Sequence, residues 1–334
     1  MRKFRHLYGP VPSRRLGRSL GIDLVPHKVC SYNCIYCQIG KTTKQTILRK
    51  EYVPTREILD EVGNFLSVEG DTAIDHFSLA GSGEPTLHSK IRSIIEGIKH
   101  LSSVPVAVIT NGSLLWEEKV QQDLLLADVI LPSLDAVSPD IFKKIDRPHP
   151  KLSLEKVVEG MVVFRKIFKG QIWLEILLCK GVNDGDEELT RMKEVVDRIQ
   201  PDQIHLNTVV RPPSETWAVP LTKQEMERIR GFFGEKATII SEFDRHPASA
   251  SGQHVPEEIV RILRRRPLSL SDLSKGMGID SSDLERHLAS LLEKKRIKAR
   301  SFGEAVYYEI LGDLDSSDVS GEEPPGKEDR GKET

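Results

Sequence analysis

Cysteine is scarce, four in 334 residues. Long apolar runs are missing as well: none approaches the roughly 18 residues that a membrane-spanning helix needs. Net charge is close to zero, 48 Lys and Arg against 50 Asp and Glu. Such a balance gives no global attraction to nucleic acid or to an acidic membrane surface. The first residues, Met1 to Gly9, lack the apolar core of a signal peptide. An exported disulfide framework is thereby disfavoured, and the expected location is a reducing cytoplasm with no membrane association. What is left is an ordinary soluble composition, 38% hydrophobic and 29% charged. Its length suits one large domain and one small one.

The few cysteines are not scattered. Three of the four lie in Cys30-Ser31-Tyr32-Asn33-Cys34-Ile35-Tyr36-Cys37, just after a strand-like run. Unrelated buried or disulfide-bonded cysteines have no reason to gather so closely. Thiolates this near one another serve a metal, and three of them leave one coordination position empty. A structural zinc normally takes four ligands, and no fourth Cys or His follows at finger-like spacing. A [4Fe–4S] cluster on three cysteines keeps one iron open to an outside ligand, which suits catalysis rather than passive electron transfer. Cys179, alone in an apolar run, reads as a buried structural thiol. Tyr32 and Tyr36 read first as packing around the loop.

From Leu20 onward the pattern alternates. Apolar runs of strand length occur at 20–25, 74–80, 104–110, 128–134, 172–178 and 203–210. Amphipathic stretches of helix length lie between and after them, at 56–68, 89–101, 116–126, 153–168, 187–199 and 222–234. Continuous apolar strands alternating with helices predict an α/β fold with a parallel sheet covered by helices. Six such units fit a partial (β/α)6 barrel, and a flat doubly wound sheet is the alternative. Either way ligands gather at the C-terminal ends of the strands.

The cysteine spacing, with an aromatic residue just before the last Cys, resembles the signature of the radical S-adenosylmethionine (SAM) superfamily. That resemblance implies the partial barrel, with Cys30, Cys34 and Cys37 on a [4Fe–4S] cluster and SAM on the open iron. It also implies an external electron donor of flavodoxin or ferredoxin type. Ala80-Gly81-Ser82-Gly83-Glu84-Pro85 resembles the family's Gly-Gly-Glu-Pro segment, whose backbone receives the SAM amino group, with Ser82 in place of the first paired Gly. Thr110-Asn111-Gly112 resembles its Thr-Asn-Gly turn. Ser133-Leu134-Asp135 stands where relatives bind the methionyl or ribose part of SAM, although Asp135 equally suits a cap. The implied SAM contacts are therefore Tyr36, Gly81, Ser82, Gly83, Glu84, Thr110, Asn111, Ser133 and Asp135. The opening Gly9-Pro10-Val11-Pro12-Ser13-Arg14-Arg15 and the distant Arg211-Pro212-Pro213 look like an Fe–S oxidoreductase group related to wybutosine (tRNA) synthases and the molybdenum-cofactor cyclase. Both relatives build a second cluster; this chain has only Cys179 left for one.

The first 28 positions hold seven Lys or Arg against Asp23 alone. The stretch from Tyr8 to Arg15 reads as an ordered loop, too rich in Pro and Gly for a helix. It is either a solvated basic face or an anion pocket in which Arg14, Arg15 and Arg18 meet a substrate phosphate or carboxylate. Lys180, Asn183, Asp184 and Arg211 are further candidate substrate contacts, Arg211 because the prolines after it fix its backbone.

Residues 241–256 read as a linker between a core domain, 1–240, and a second unit, 257–312. Glu257–Arg266, Leu270–Met277 and Ser281–Arg296 predict three short helices, with Ser281 or Ser282 as a cap. Ile297–Ile310 predicts two strands turning at Phe302-Gly303-Glu304. Three helices and a hairpin outline a winged helix. Six basic residues between Arg286 and Arg300 give it a means of touching nucleic-acid phosphates, the other use being an interaction module. From Asp313 onward eight acids, three bases and little apolar content predict a disordered tail. The expected function is reductive cleavage of SAM for hydrogen abstraction from an unidentified substrate, with RNA modification as one form of it. The reading from another class is an Fe–S regulator that binds DNA through the winged helix.

Overall fold

The structure, a computed structural model, describes residues 4–13, 15–240, 255–264, 267–303 and 305–311. β1 (Leu7–Ser13) and β2 (Gly17–Ile22) form an antiparallel hairpin, followed by two short paired strands, β3 (Val29–Cys30) and β4 (Lys44–Gln45). Strands and helices then alternate: α1 (Thr55–Glu69), β5 (His76–Leu79), α2 (Ile91–Leu101), β6 (Val106–Thr110), α3 (Glu118–Leu124), β7 (Val129–Pro132). α4 (Pro139–Ile145), α5 (Leu154–Ile167), β8 (Gln171–Leu178), α6 (Asp186–Ile199), β9 (Gln203–Thr208), α7 (Lys223–Phe233) and β10 (Ala237–Ile239) complete the first unit. The sheet runs β1-β2-β5-β6-β7-β8-β9-β10, parallel from β2 onward, and it does not close on itself.

The expected six strand–helix units are all present, because their strands are apolar on both faces and their helices on one. Besides the two-residue strands β3 and β4, three elements of this unit differ from the sequence reading. β1 is a strand rather than a loop: as an edge strand it tolerates Pro10 and Pro12, and its register shifts between Tyr8 and Val11. α4 and β10 are additions of seven and three residues, too short for periodicity to announce.

Side-chain contacts decide between a flat sheet and a barrel. Arg15, in the β1–β2 turn, is ion-paired with Glu175 of β8. Leu16 packs against Ala107, Val129 and Leu131 of β6 and β7. In a flat sheet β2 and β8 would stand about 19 Å apart, four spacings of roughly 4.8 Å. No arginine spans that, so the sheet curls around the hairpin turn as a partial barrel.

Beneath the ion pair, His205 lies against Trp173 at 5.6 Å between ring centroids, and its Nδ1 is buried without a partner. Burial first, and then the Arg15 charge, pull its pKa down to about 4. The folded protein therefore refuses a proton that the unfolded chain accepts near 6.5. Stability is full above that value and falls as pH drops from 6.5 to 4, by about 3 kcal/mol at ~1.4 kcal/mol per unit. His205→Gln is expected to flatten that part of the urea-midpoint profile; equal slopes in both proteins would refute the assignment.

The C-terminal elements are α8 (Val255–Leu263), β11 (Leu268–Ser269), α9 (Leu270–Met277), α10 (Ser281–Glu293), β12 (Ile297–Phe302) and β13 (Ala305–Ile310), with sheet order β11-β13-β12. They enclose a core of their own around Ile259, Leu273, Leu284 and Leu288. α8 takes in Val255 and Pro256, the end of the expected linker; the remainder of that linker, 241–254, lies outside the described residues, as does the acidic tail. The cap of α10 is Asp280, which accepts from the Ser282 N–H at 2.8 Å, rather than Ser281 or Ser282. This unit meets the barrel where the Tyr307 hydroxyl donates to the Val210 carbonyl at 2.9 Å. Among the described residues no helix is long and apolar enough to cross a membrane.

Candidate active site

The cysteine loop starts at the C-terminal end of β2 and is tied down from several sides. The Lys28 carbonyl accepts from the Thr43 and Lys44 N–H groups, and the Cys30 carbonyl from Thr46 N–H. Asn33 N–H donates to the Asp146 carbonyl, and Ile35 N–H to that of Ile145. These bonds leave Cys30, Cys34 and Cys37 half-buried. Lys28 Nζ donates to Cys37 Sγ at 3.3 Å, and Asn111 Nδ2 lies 3.6 Å from Cys30 Sγ. Cys34 Sγ lies 3.5 Å from Asp146 Oδ1.

Glu84 is the hub of the next two strand ends. Its Oε1 accepts from Thr86 N–H (3.0 Å), Thr86 Oγ1 (2.6 Å) and Thr110 Oγ1 (2.6 Å), and its Oε2 from Asn111 N–H (2.8 Å). Burial raises its pKa, and those donors work against the rise. One buried carboxylate thus holds the β5 and β6 loops together. Gly83 is there for space: a Cβ would stand 1.9 Å from the Val29 carbonyl oxygen, the acceptor of Glu84 N–H. Gly83→Ala is expected to cost about 1–3 kcal/mol by overpacking and to push β3 and Cys30 out of place. Urea unfolding with iron content after reconstitution checks this; wild-type values for both would contradict it. Gly81 lies at φ +122, where a Cβ would stand 2.1 Å from Asp23 Oδ1, and Ser82 N–H donates to that same oxygen at 2.7 Å.

Tyr36 reaches across to Asp135 beyond β7, its hydroxyl donating to Oδ2, while Leu177 N–H donates to Oδ1 at 2.8 Å. Burial pushes Asp135 up to about 7, and burial and then Asp135 raise Asp146 well above the carboxylate range. Ser133 stands at the same rim, its N–H donating to the Thr110 carbonyl at 3.1 Å.

The candidate substrate cations do not converge. Arg15 points into the barrel toward Glu175, whose Oε1 also accepts from Asn207 at 3.0 Å. Lys180 is half-exposed and paired with Glu225 at 2.9 Å. Arg211 is buried, 3.5 Å from Gln38 of the cysteine loop and 3.9 Å from Asp272 of α9. Arg14 lies outside the described residues. Asn183 is a strut, its side chain bonded to the Cys179 N–H and to the Leu177 and Asp135 carbonyls.

Sequence reasoning missed Asp23, Lys28 and Asp146. Asp23 carried a signal, as the lone acid at the end of β2 in a basic stretch. Asp146 had none, since it follows a helix that periodicity did not announce.

The donor set can be tested against a cluster. Burial, and then the Glu84 charge, push the Cys30 thiol up to about 12, and burial and then Asp146 raise Cys34. On their own these thiols stay protonated, and only a bound cation would hold them as thiolates. The Lys28 and Asn111 donors suit anionic sulfur. Among the described residues no three His, Cys, Asp or Glu side chains converge on a single metal ion, whereas a cuboidal cluster takes one thiolate per iron and needs no such convergence. The residues fit the cluster.

The protein-family model described as the Radical SAM superfamily matches residues 24–192. A protein named UPF0026 from Methanocaldococcus jannaschii is 31% identical over 315 residues, 93% of this chain and 98% of that one. The chain belongs to the radical SAM superfamily and, within it, to the family of these UPF0026 proteins. A protein named GTPase Obg from Brachyspira hyodysenteriae is 37% identical over 311 residues, covering 92% of this chain but 45% of that one. The chain thus spans less than half of that relative's length. A probable GTP 3',8-cyclase of Saccharolobus islandicus is 31% identical over 194 residues, 58% of each chain. Among solved structures, TYW1 with a lysine-pyruvate adduct has the same fold at 16% identity and a TM-score of 0.51, over 69% of this chain and 76% of that one. Members of the superfamily bind a [4Fe–4S] cluster and SAM, and so does this chain.

Proposed function

We propose that Cys30, Cys34 and Cys37 hold the [4Fe–4S] cluster and that the strand ends of β5, β6 and β7 hold SAM for reductive cleavage. When bound, the pair supplies methionine and a 5′-deoxyadenosyl radical that takes hydrogen from a substrate, and the protein aims and shields it. The observation that carries the reading is the joining of two sequence-distant rims around one loop. Glu84 fixes Asn111 beside Cys30, and Asp135 fixes Tyr36 beside Cys37. Both carboxylate oxygens of Glu84 accept from internal donors, so it acts by shaping the Gly81–Gly83 backbone that faces the ligand. Tyr36 and Asp135 form the opposite wall. Burial of these carboxylates keeps water from the reacting centre.

The DNA-binding regulator would keep the cysteines but would need neither Glu84's hub nor the Tyr36–Asp135 pair, and no finding favours it. An RNA substrate is the form of the enzyme reading that α10 and β12 support, if their unit is a winged helix. Lys294 and Lys295 are exposed between them. Filter binding of tRNA over a salt series tests it, and binding indifferent to salt would dispose of it. For the central reading, anaerobic reconstitution with iron and sulfide is followed by SAM and dithionite. 5′-Deoxyadenosine is the expected product, and its absence from cluster-loaded protein would sink the reading.

A further inference from the structure

A chain with a single cluster cannot relay electrons through itself. Cys179, the one cysteine outside the loop, is fully buried in the barrel core. The electron must arrive from another molecule, over the surface nearest the cysteine loop. Residues 38–50 contain Lys41, Lys44, Arg49 and Lys50 and no acid. Lys41 and Lys44 are exposed, while Arg49 is committed to Asp123 at 2.7 Å. A second basic segment is held against the first: His149 N–H donates to the Ser31 carbonyl at 2.9 Å, and Gln45 Nε2 to the Arg147 carbonyl at 2.6 Å. It contributes Arg147 and exposed Lys151. Glu215, the acid facing them, is shared by Lys41 (3.3 Å) and Arg147 (2.7 Å), so the face stays positive.

The same face has a short covalent and hydrogen-bonded route inward. Cys30 pairs with Gln45 across β3 and β4, and Thr46 N–H donates to the Cys30 carbonyl at 2.9 Å. Exposed Lys44 and Gln45 are therefore next to the backbone of a cluster ligand. Leu48, in the same loop, is 66% exposed. A nucleic-acid backbone would use the charges but has no use for an exposed leucine. A protein partner uses both, with apolar contact at the centre and charge at the rim.

We infer that this face, centred on Lys41, Lys44 and Leu48, docks a small acidic protein that delivers one electron to the cluster. The inference rests on the proposed cluster site and adds the place where its electron enters. One electron leaves the donor and the charge of the cluster falls by one, with no atom or proton transferred.

The test uses reconstituted full-length protein, an acidic flavodoxin as donor, and the K41E/K44E double variant. Cluster bleaching by reduced flavodoxin is expected to slow at least tenfold at low salt and to lose the salt dependence of the wild type, while reduction by dithionite is unchanged. Calorimetry with oxidised flavodoxin and iron-free protein is expected to show affinity at least tenfold weaker. Leu48→Ser is expected to weaken binding with the salt dependence intact. Wild-type flavodoxin kinetics in K41E/K44E would overturn the inference while leaving the cluster reading standing. So would a loss of tRNA binding in the variant with flavodoxin unaffected, which would assign the face to nucleic acid. Failure of the wild type to take up iron would sink the cluster reading, and the docking with it.

Discussion

Cys34→Ala is expected to fold, to retain little iron after reconstitution, and to form 5′-deoxyadenosine only at background level, a drop of at least a hundredfold. The side chain lost is small and half-buried. Its Sγ faces Asp146 at 3.5 Å, and removing it leaves a carboxyl that burial already shifts toward its neutral form. The cost to folding is therefore slight, about 1 kcal/mol for a small core truncation. The cost to the cluster is total by comparison, because two thiolates leave two irons exposed to solvent. Near-wild-type unfolding together with lost iron is the diagnostic combination. Retained iron and retained 5′-deoxyadenosine in the variant would remove Cys34 from the ligand set.

Glu84→Ala should act differently, through the fold of the rim. Four donors lose their buried acceptor at once. An unsatisfied buried donor costs about 1–3 kcal/mol, although loops that loosen recover some of this from water. A net loss of about 3 kcal/mol follows, together with SAM affinity weakened at least tenfold. Glu84→Gln sharpens the test. Its carbonyl can still take the three bonds now made to Oε1, whereas its amide would face the Asn111 N–H donor to donor. Only the Asn111 turn, and with it the Asn111 contact to Cys30 Sγ, should be disturbed. The glutamine variant is therefore expected to keep most of the stability and lose part of the SAM affinity. Urea unfolding and SAM binding by equilibrium dialysis measure both. Equal losses in the two variants would mean that the charge, not the hydrogen-bond geometry, holds the rim.

Much of the fold and of the site is legible in the amino-acid sequence. Strand and helix order followed from apolar periodicity, and each motif is a contiguous run, so Cys30–Cys37, Gly81–Pro85, Thr110–Gly112 and Ser133–Asp135 could be read in place. β1 was misread because proline argues against strands in general, and only its position at the sheet edge suspends that argument. The basic residues were misleading for a related reason. A sequence shows that Arg15, Lys180 and Arg211 carry charge, but not that Glu175, Glu225 and Asp272 stand beside them.

The alternating α/β order, the three-thiol loop and the residues available at each strand end are local properties, written in contiguous stretches of the chain. Tertiary structure decided which of those residues meet. Tyr36 finds Asp135 across 99 positions, Cys34 finds Asp146 across 112, and Arg15 finds Glu175 across 160. Those pairings exist because the sheet curls, and the curl is a sum of small twists between strands that no single stretch of sequence encodes.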